Sequence, residues 1–203
     1  MRPLQSANID RSTVPTTARH GRVRSVALRD DLPDRILRHP GLIHDYRKNA
    51  ALVIRNDAGL LLFCERLGHP GWWQFPQGGV EPDELPEHAA FREAGEELGL
   101  ADPRASLRIE DRLDEPLRYD FDVEVIERFL NRKGYSYVGQ AQHFFLAHFI
   151  GEEHELTLRP PPGCDPEFSQ WQWAGPEFVE SVPAFKREVA RQALRHFGFE
   201  TAG

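Results

Sequence analysis

"GGVEPDELPEHAAFREAGEELGL", Gly78 to Leu100, is the stretch that decides the fold. Its second half reads as a helix over residues 85–98, closed by Gly99 just past the end. Three acids, Glu93, Glu96 and Glu97, crowd the last two turns. Negative charge there opposes the helix macrodipole, and Glu93 and Glu97 repel as an i,i+4 pair. Each effect costs roughly a few tenths of a kcal/mol. Gly95 weakens the helix by about 1 kcal/mol more, relative to alanine. On a wheel of about 100° per residue, Ala90, Phe91, Ala94 and Leu98 share one arc and the three glutamates lie roughly opposite. One side can bury while the other presents three carboxylates. Such a charge run is ordinarily a solvated face. It is also the oxygen-only set that suits Mg²⁺ or Mn²⁺, and a cation would relieve both the repulsion and the dipole conflict.

Outward from this helix, the chain alternates strand and helix signals without regular βαβ repeats. "NAALVIR" and "LLLFCER" are apolar runs separated by "NDAG", which predicts a β-hairpin. "WWQFPQGG" reads as a short strand ending in glycines, and "SLRIEDRL", "AQHFFLAHFI" and "FSQWQWA" as further strands. "PAFKREVARQALRHF" is a closing helix in which Phe185, Val189, Ala193 and Phe197 recur every four residues. This pattern implies an α/β/α sandwich around a mixed sheet, spanning residues 46–200. Residues 27–45 read as a short helical lead-in stopped by His39-Pro40. Residues 1–26 carry five arginines against one acid and no hydrophobic period. They read as a flexible arm, with a transit peptide as the alternative.

Bulk properties exclude several classes. A formal charge of −7 over 203 residues argues against binding nucleic acid through general basicity, and DNA is not an expected partner. A polyanionic ligand then needs a local basic patch, or metal ions on an acidic site. Cys64 and Cys164 show no metal-binding or disulfide-scaffold spacing. No apolar run approaches the roughly 20 residues that span a bilayer, and no signal-peptide core follows the start, so the expected location is the cytoplasm, away from membranes. Oligomeric state has no signature in the sequence.

From Gly78 the residues fit one spaced pattern: Gly, five residues, Glu84, seven residues, Arg92-Glu93, an apolar residue, any residue, Glu96-Glu97, any residue, Gly99, apolar. Seven such fixed positions arise by chance at one register with odds of about 10⁻⁸. The pattern is similar to the signature of the Nudix hydrolases, with Ala94 smaller than the usual aliphatic residue. "YRKNAALVI", "WWQFPQGG", "LRY", "GQAQHFFLAHF", "PEFSQWQW" and "VPAFKREV" extend the resemblance over residues 46–198, towards RNA pyrophosphohydrolases and plant-type dinucleoside polyphosphate hydrolases.

The resemblance implies Mg²⁺-dependent cleavage of 5′-triphosphate RNA or of a dinucleoside polyphosphate, with Mn²⁺ as a substitute. It implies Glu93, Glu96 and Glu97 as metal ligands, joined by the Gly78 carbonyl, with Glu84 and Arg92 as structural braces. Glu167 of "PEF" would be a further acid on the metal or on water, so Glu97 and Glu167 both stand as candidate bases. Arg47, Arg66, Tyr119, Gln140, Phe185 and Lys186 would contact the substrate. For Phe185 core packing is an equal alternative, and Lys186, Arg187, Arg191 and Arg195 could form a solvated basic face. Three features depart from the bacterial RNA enzymes: His143, Trp72, and the long acidic segment "YDFDVEVIERFLNRKGYSY". Two other readings stay open, a different nucleoside diphosphate derivative as substrate and a non-catalytic nucleotide or RNA sensor.

Overall fold

The computed structural model describes residue 29 and residues 31–201; the predicted arm lies outside the described residues. Eight strands and five helices follow one another: α1 (Asp34–Leu37), β1 (Leu42–Arg55), β2 (Leu61–Arg66), β3 (Trp73–Gln74), β4 (Gln77–Gly79), α2 (Pro86–Leu98), α3 (Pro103–Ser106), β5 (Leu107–Arg112), β6 (Leu117–Asp120), α4 (Val123–Lys133), β7 (Ser136–Phe149), β8 (Phe168–Ala174) and α5 (Ala184–His196). They build one mixed sheet with helices on both faces.

The centre of the sheet is the parallel pair β1–β7, aligned from Leu42↔Ser136 to Arg55↔His148. Successive residues of these strands point to opposite faces. Ala51, Val53, Phe144 and Leu146 enter one core with residues of α1, α4 and α5. Ala50, Leu52, Ile54, Phe145 and Ala147 enter the other, with the apolar side of α2. Burial on both faces explains why "NAALVIR" is continuously apolar instead of alternating. Each fully buried Leu, Ile or Phe contributes about 1.5–3 kcal/mol.

Several elements differ from the sequence expectation. The predicted hairpin survives only at its mouth, where Arg55 opposes Leu61. Beyond that point β2 leaves β1 and pairs with β8 and β3, because β7 and β4 hold the two edges of β1. The single strand expected in "WWQFPQGG" is two short ones, β3 and β4, broken at Phe75-Pro76. The sheet starts at Leu42, four residues before Tyr46, and the helix expected within 27–45 is the single turn α1, whose Ile36 is buried with Leu32 and Leu42. The segment "DVEVIERFLNRK" was not recognised as helical. It forms α4, ended by Gly134 in the left-handed conformation at φ 76°.

Helix α2 begins with Pro86 at its first turn and stops at Gly99, φ 73°. Gly95 makes room for α3: a Cβ there would sit 3.3 Å from the Pro103 ring. In α5 the buried stripe is Lys186, Val189, Ala190, Ala193 and Leu194. That is rotated from the predicted one, so Phe185 is exposed at 37% and Lys186 faces inward.

Candidate active site

Arg92 organises the acidic end of α2. Its Nε and Nη2 each donate to Glu84 at 3.0 Å, and Nη2 also donates to the Gly79 carbonyl at 2.7 Å. Its Nη1 reaches Glu93 at 2.7 Å and Glu96 at 3.3 Å. One planar guanidinium thus ties loop, strand and helix together. Glu84 also accepts the Glu81 backbone N–H, which closes the loop before α2.

Glu97 is different. It is buried at 3% exposure; one oxygen accepts the Gln77 N–H at 2.7 Å and the other, Oε1, has no hydrogen-bond partner. Burial, followed by the nearby Glu167 carboxylate, pushes its pKa well above the ordinary carboxylate range. Burial likewise raises Glu93, against the pull of Arg92. A Cβ on Gly78 would overlap the Glu93 carboxyl group, so only glycine allows the strand so close to this acid.

Facing the acids are cations. Arg66 Nη1 pairs with Glu167 at 2.5 Å. Lys186 donates to Gln74, and burial pushes its pKa down to about 7, with Arg66 acting in the same direction and Glu97 and Glu167 against it. Between them lies a polar floor on the sheet that the sequence did not reveal. Gln142 donates to Gln77 at 2.5 Å and to Asn49 at 3.1 Å, and all but Gln77 of the set Asn49, Gln74, Gln77 and Gln142 are fully buried. Buried amides in such number need partners or a ligand. Quoted runs such as "WQFPQGG" and "GQAQ" contain them, yet nothing local marks their direction.

The structure therefore brings Gly78, Glu93, Glu96, Glu97, Glu167, Arg66 and Lys186 into one cluster. Tyr119 lies deeper: its ring is 8% exposed and its hydroxyl donates to Gln140. Phe185 stands at the rim, 5.8 Å from the Tyr119 ring and 6.4 Å from Trp72, which stacks on His69. The basic face expected on α5 is not one: Arg191 pairs with Glu180 and Arg195 with Glu188.

Could these residues hold a divalent cation? The orphaned Glu97 oxygen, the repulsion among Glu93, Glu97 and Glu167, and the absent Cβ at Gly78 all fit one. Among the described residues no three acidic, His or Cys side chains form a ligating group, because Arg92 draws Glu93 and Glu96 onto itself. Joint ligation requires those two to turn off Nη1.

Residues 45–197 match the NUDIX domain family. The chain belongs to the Nudix family. An RNA pyrophosphohydrolase of Erythrobacter litoralis is 36% identical over 155 residues, covering 75% of this chain and 90% of that protein. Nudix hydrolase 26, chloroplastic, of Arabidopsis thaliana is 34% identical over 153 residues, 75% of this chain and 69% of its own. A C. elegans Ap4A hydrolase binary complex superposes with a TM-score of 0.51 at 22% identity, covering 74% of this chain and 96% of that chain, which supports the fold. As a Nudix hydrolase the protein is an enzyme acting on phosphorus-containing anhydrides with a divalent metal. The braces Glu84 and Arg92 and the acids of α2 occupy the Nudix strand–loop–helix.

Proposed function

We propose that this Nudix enzyme removes pyrophosphate from 5′-triphosphate RNA, splits dinucleoside polyphosphates asymmetrically, or does both, with Mg²⁺ as the cofactor and Mn²⁺ as a substitute. The observation that carries this reading is the two-signed cleft, in which Glu93, Glu96, Glu97 and Glu167 face Arg66 and Lys186 across buried amides. Similarity to the Erythrobacter litoralis RNA pyrophosphohydrolase over most of both chains supports the RNA substrate. The likeness to the C. elegans Ap4A hydrolase supports the fold on which a dinucleotide would be cleaved.

In this reading the α2 carboxylates, the Gly78 carbonyl and Glu167 would hold divalent ions, whose chemistry there would be to neutralise polyphosphate charge and lower the pKa of water. Arg66 leaves Glu167 for the substrate phosphates, and Lys186, held by Gln74, adds a second positive charge toward them. Glu97 takes the proton of the attacking water: the Gln77 N–H holds one of its oxygens and the other has no hydrogen-bond partner. Attack in line on one phosphorus gives 5′-monophosphate RNA and pyrophosphate, or two unequal nucleotides from a dinucleotide. No described helix is long and apolar enough to cross a membrane. The same reading places the enzyme in the cytoplasm, with neither DNA nor a membrane as partner.

The test is a competition assay in Mg²⁺ of 5′-triphosphate RNA against diadenosine tetra- and pentaphosphate, compared by kcat/KM. Cleavage of at least one class with release of the stated products is expected. Binding of all three without turnover would make the protein a sensor instead.

A further inference from the structure

The second half of α4 gathers cations on a chain whose net charge is −7. Arg128, Arg132 and Lys133 stand there, while Asp122, Glu124 and Glu127 belong to the first half. Basic residues in a last turn suit any helix dipole. These three also go unmatched: among the described residues none of them forms an ion pair. The acids nearby are engaged elsewhere, Glu127 by Arg35 at 2.8 Å and Asp120 by Arg29 at 3.5 Å. Ile126 and Leu130 turn into the core, so Arg128 and Arg132, four residues apart, share an outer face. Every residue from Asn131 to Tyr135 is exposed.

Aromatic rings lie beside these charges. Gly134 turns the chain from α4 into β7, where Tyr135 is 47% exposed and meets Tyr137 edge-on at 6.4 Å. Lys133 Nζ lies 5.3 Å over the Phe129 ring, and these four side chains line one surface hollow. Unmatched cations interleaved with rings form the composition that holds single-stranded nucleic acid, the cations taking phosphates and the rings taking bases. A duplex keeps its base faces stacked inside and offers the rings nothing. The patch stands apart from the catalytic cluster. Phe185 at the rim of that cluster is 5.8 Å from Tyr119, Tyr119 is 6.1 Å from Phe121, and Phe121 is 5.8 Å from Phe129. Tyr119 and Phe121 are buried, so the three steps measure a separation and not a channel. A strand of a few nucleotides covers that distance over the outside of the protein.

Resting on the RNA reading above, we propose that the end of α4 and the start of β7 form a docking surface for the body of a single-stranded RNA, downstream of the nucleotides at the catalytic cluster. Arg128, Arg132 and Lys133 hold its phosphates, and an unpaired base stacks on Tyr135. The surface takes no part in cleavage and gives no advantage to a dinucleotide. It favours long RNA over small substrates.

The experiment compares the full-length wild-type chain with the triple variant Arg128→Ala, Arg132→Ala, Lys133→Ala and with Tyr135→Ala. Binding of an unstructured RNA of about 20 nucleotides with a 5′-hydroxyl, which offers no polyphosphate, is followed by fluorescence anisotropy over a range of salt. The triple variant binds at least about tenfold more weakly, and its plot of log Kd against log salt is shallower by about 2, as the loss of three phosphate contacts requires. Tyr135→Ala weakens binding about tenfold, within the range of one base–aromatic stack. In both variants kcat/KM falls on long 5′-triphosphate RNA and stays unchanged on a 5′-triphosphate trinucleotide and on diadenosine tetraphosphate. Equal binding by wild type and the triple variant overturns the surface, as does an equal loss of turnover on all substrates. Displacement of the RNA by polyglutamate as readily as by unlabelled RNA also overturns it, since an acidic peptide would then serve as well. Wild-type chain that cleaves none of the substrates defeats the hydrolase reading, while the anisotropy decides the docking surface separately.

Discussion

Helices α2 and α5 are the same length and pack on opposite faces of one sheet, yet they treat charge in opposite ways. In α5 the last turn carries Arg195 and His196, which suit the negative end of the dipole, and its arginines are matched by Glu180 and Glu188. In α2 the last two turns carry three acids, no base stands in the last turn, and Glu97 is buried with an oxygen unpartnered. One helix satisfies its local chemistry within the fold. The other is left unsatisfied at the cleft, and that is the hallmark of a binding end, since local rules fail where function requires it.

Perturbing each helix in turn tests the contrast. The largest effect is expected from metal removal: chelation should abolish hydrolysis and added Mg²⁺ or Mn²⁺ should restore it, measured by product release. Full activity in chelator would separate the acids of α2 from the chemistry. Next is Glu97→Gln, which should cut kcat by about 10²–10⁴-fold, the scale of a lost general base. In chelator the same variant should melt about 2–4 °C higher than wild type, because it removes a buried charge. The pH dependence has a defined sign. The folded state holds the Glu97 proton above pH 4.5, where the unfolded chain has released it, so metal-free wild type loses stability as pH rises from there through the raised folded pKa. Glu97→Gln should flatten that slope, and an identical slope in both proteins would refute the buried-charge account. The smallest effect belongs to α5: Arg191→Ala should shift Tm by no more than about 2 °C and leave kcat/KM alone, as surface ion pairs do. A large activity loss there would mean that the Arg191 side of α5 works as well, beyond Lys186 at its start.

The contrast also explains what the sequence could disclose. The α2 acids were legible because their signal is local: spacing on one helix fixes which carboxylates share a side. The β1–β2 hairpin was over-read for the same reason, since "NDAG" announces a turn but not that β7 will take the neighbouring edge. The buried stripe of α5 differs from the expected one because a four-residue repeat through Phe185 and Phe197 outweighs, in sequence, the stripe that packs, in which Val189, Ala190, Ala193 and Leu194 carry Lys186 inward with them. Asn49, Gln74 and Gln142 were invisible because polar residues inside apolar strands acquire meaning only from partners on other strands. Helix α4 does carry a helical period, since Val123, Ile126, Phe129 and Leu130 recur at three- and four-residue spacing and pack on the core, but the charged residues between them make the stretch read as an acidic loop.

The long parallel pairing of β1 with β7 bears on how the chain matures. Its two strands are separated by about 90 residues of sequence, so the middle of the sheet cannot close until most of the polypeptide has left the ribosome. Until then the apolar run through Ala50–Ile54 waits with its β7 edge open, vulnerable to association with other nascent chains. Folding should therefore be slow and concentration-sensitive, with late docking of β7 as the committing event.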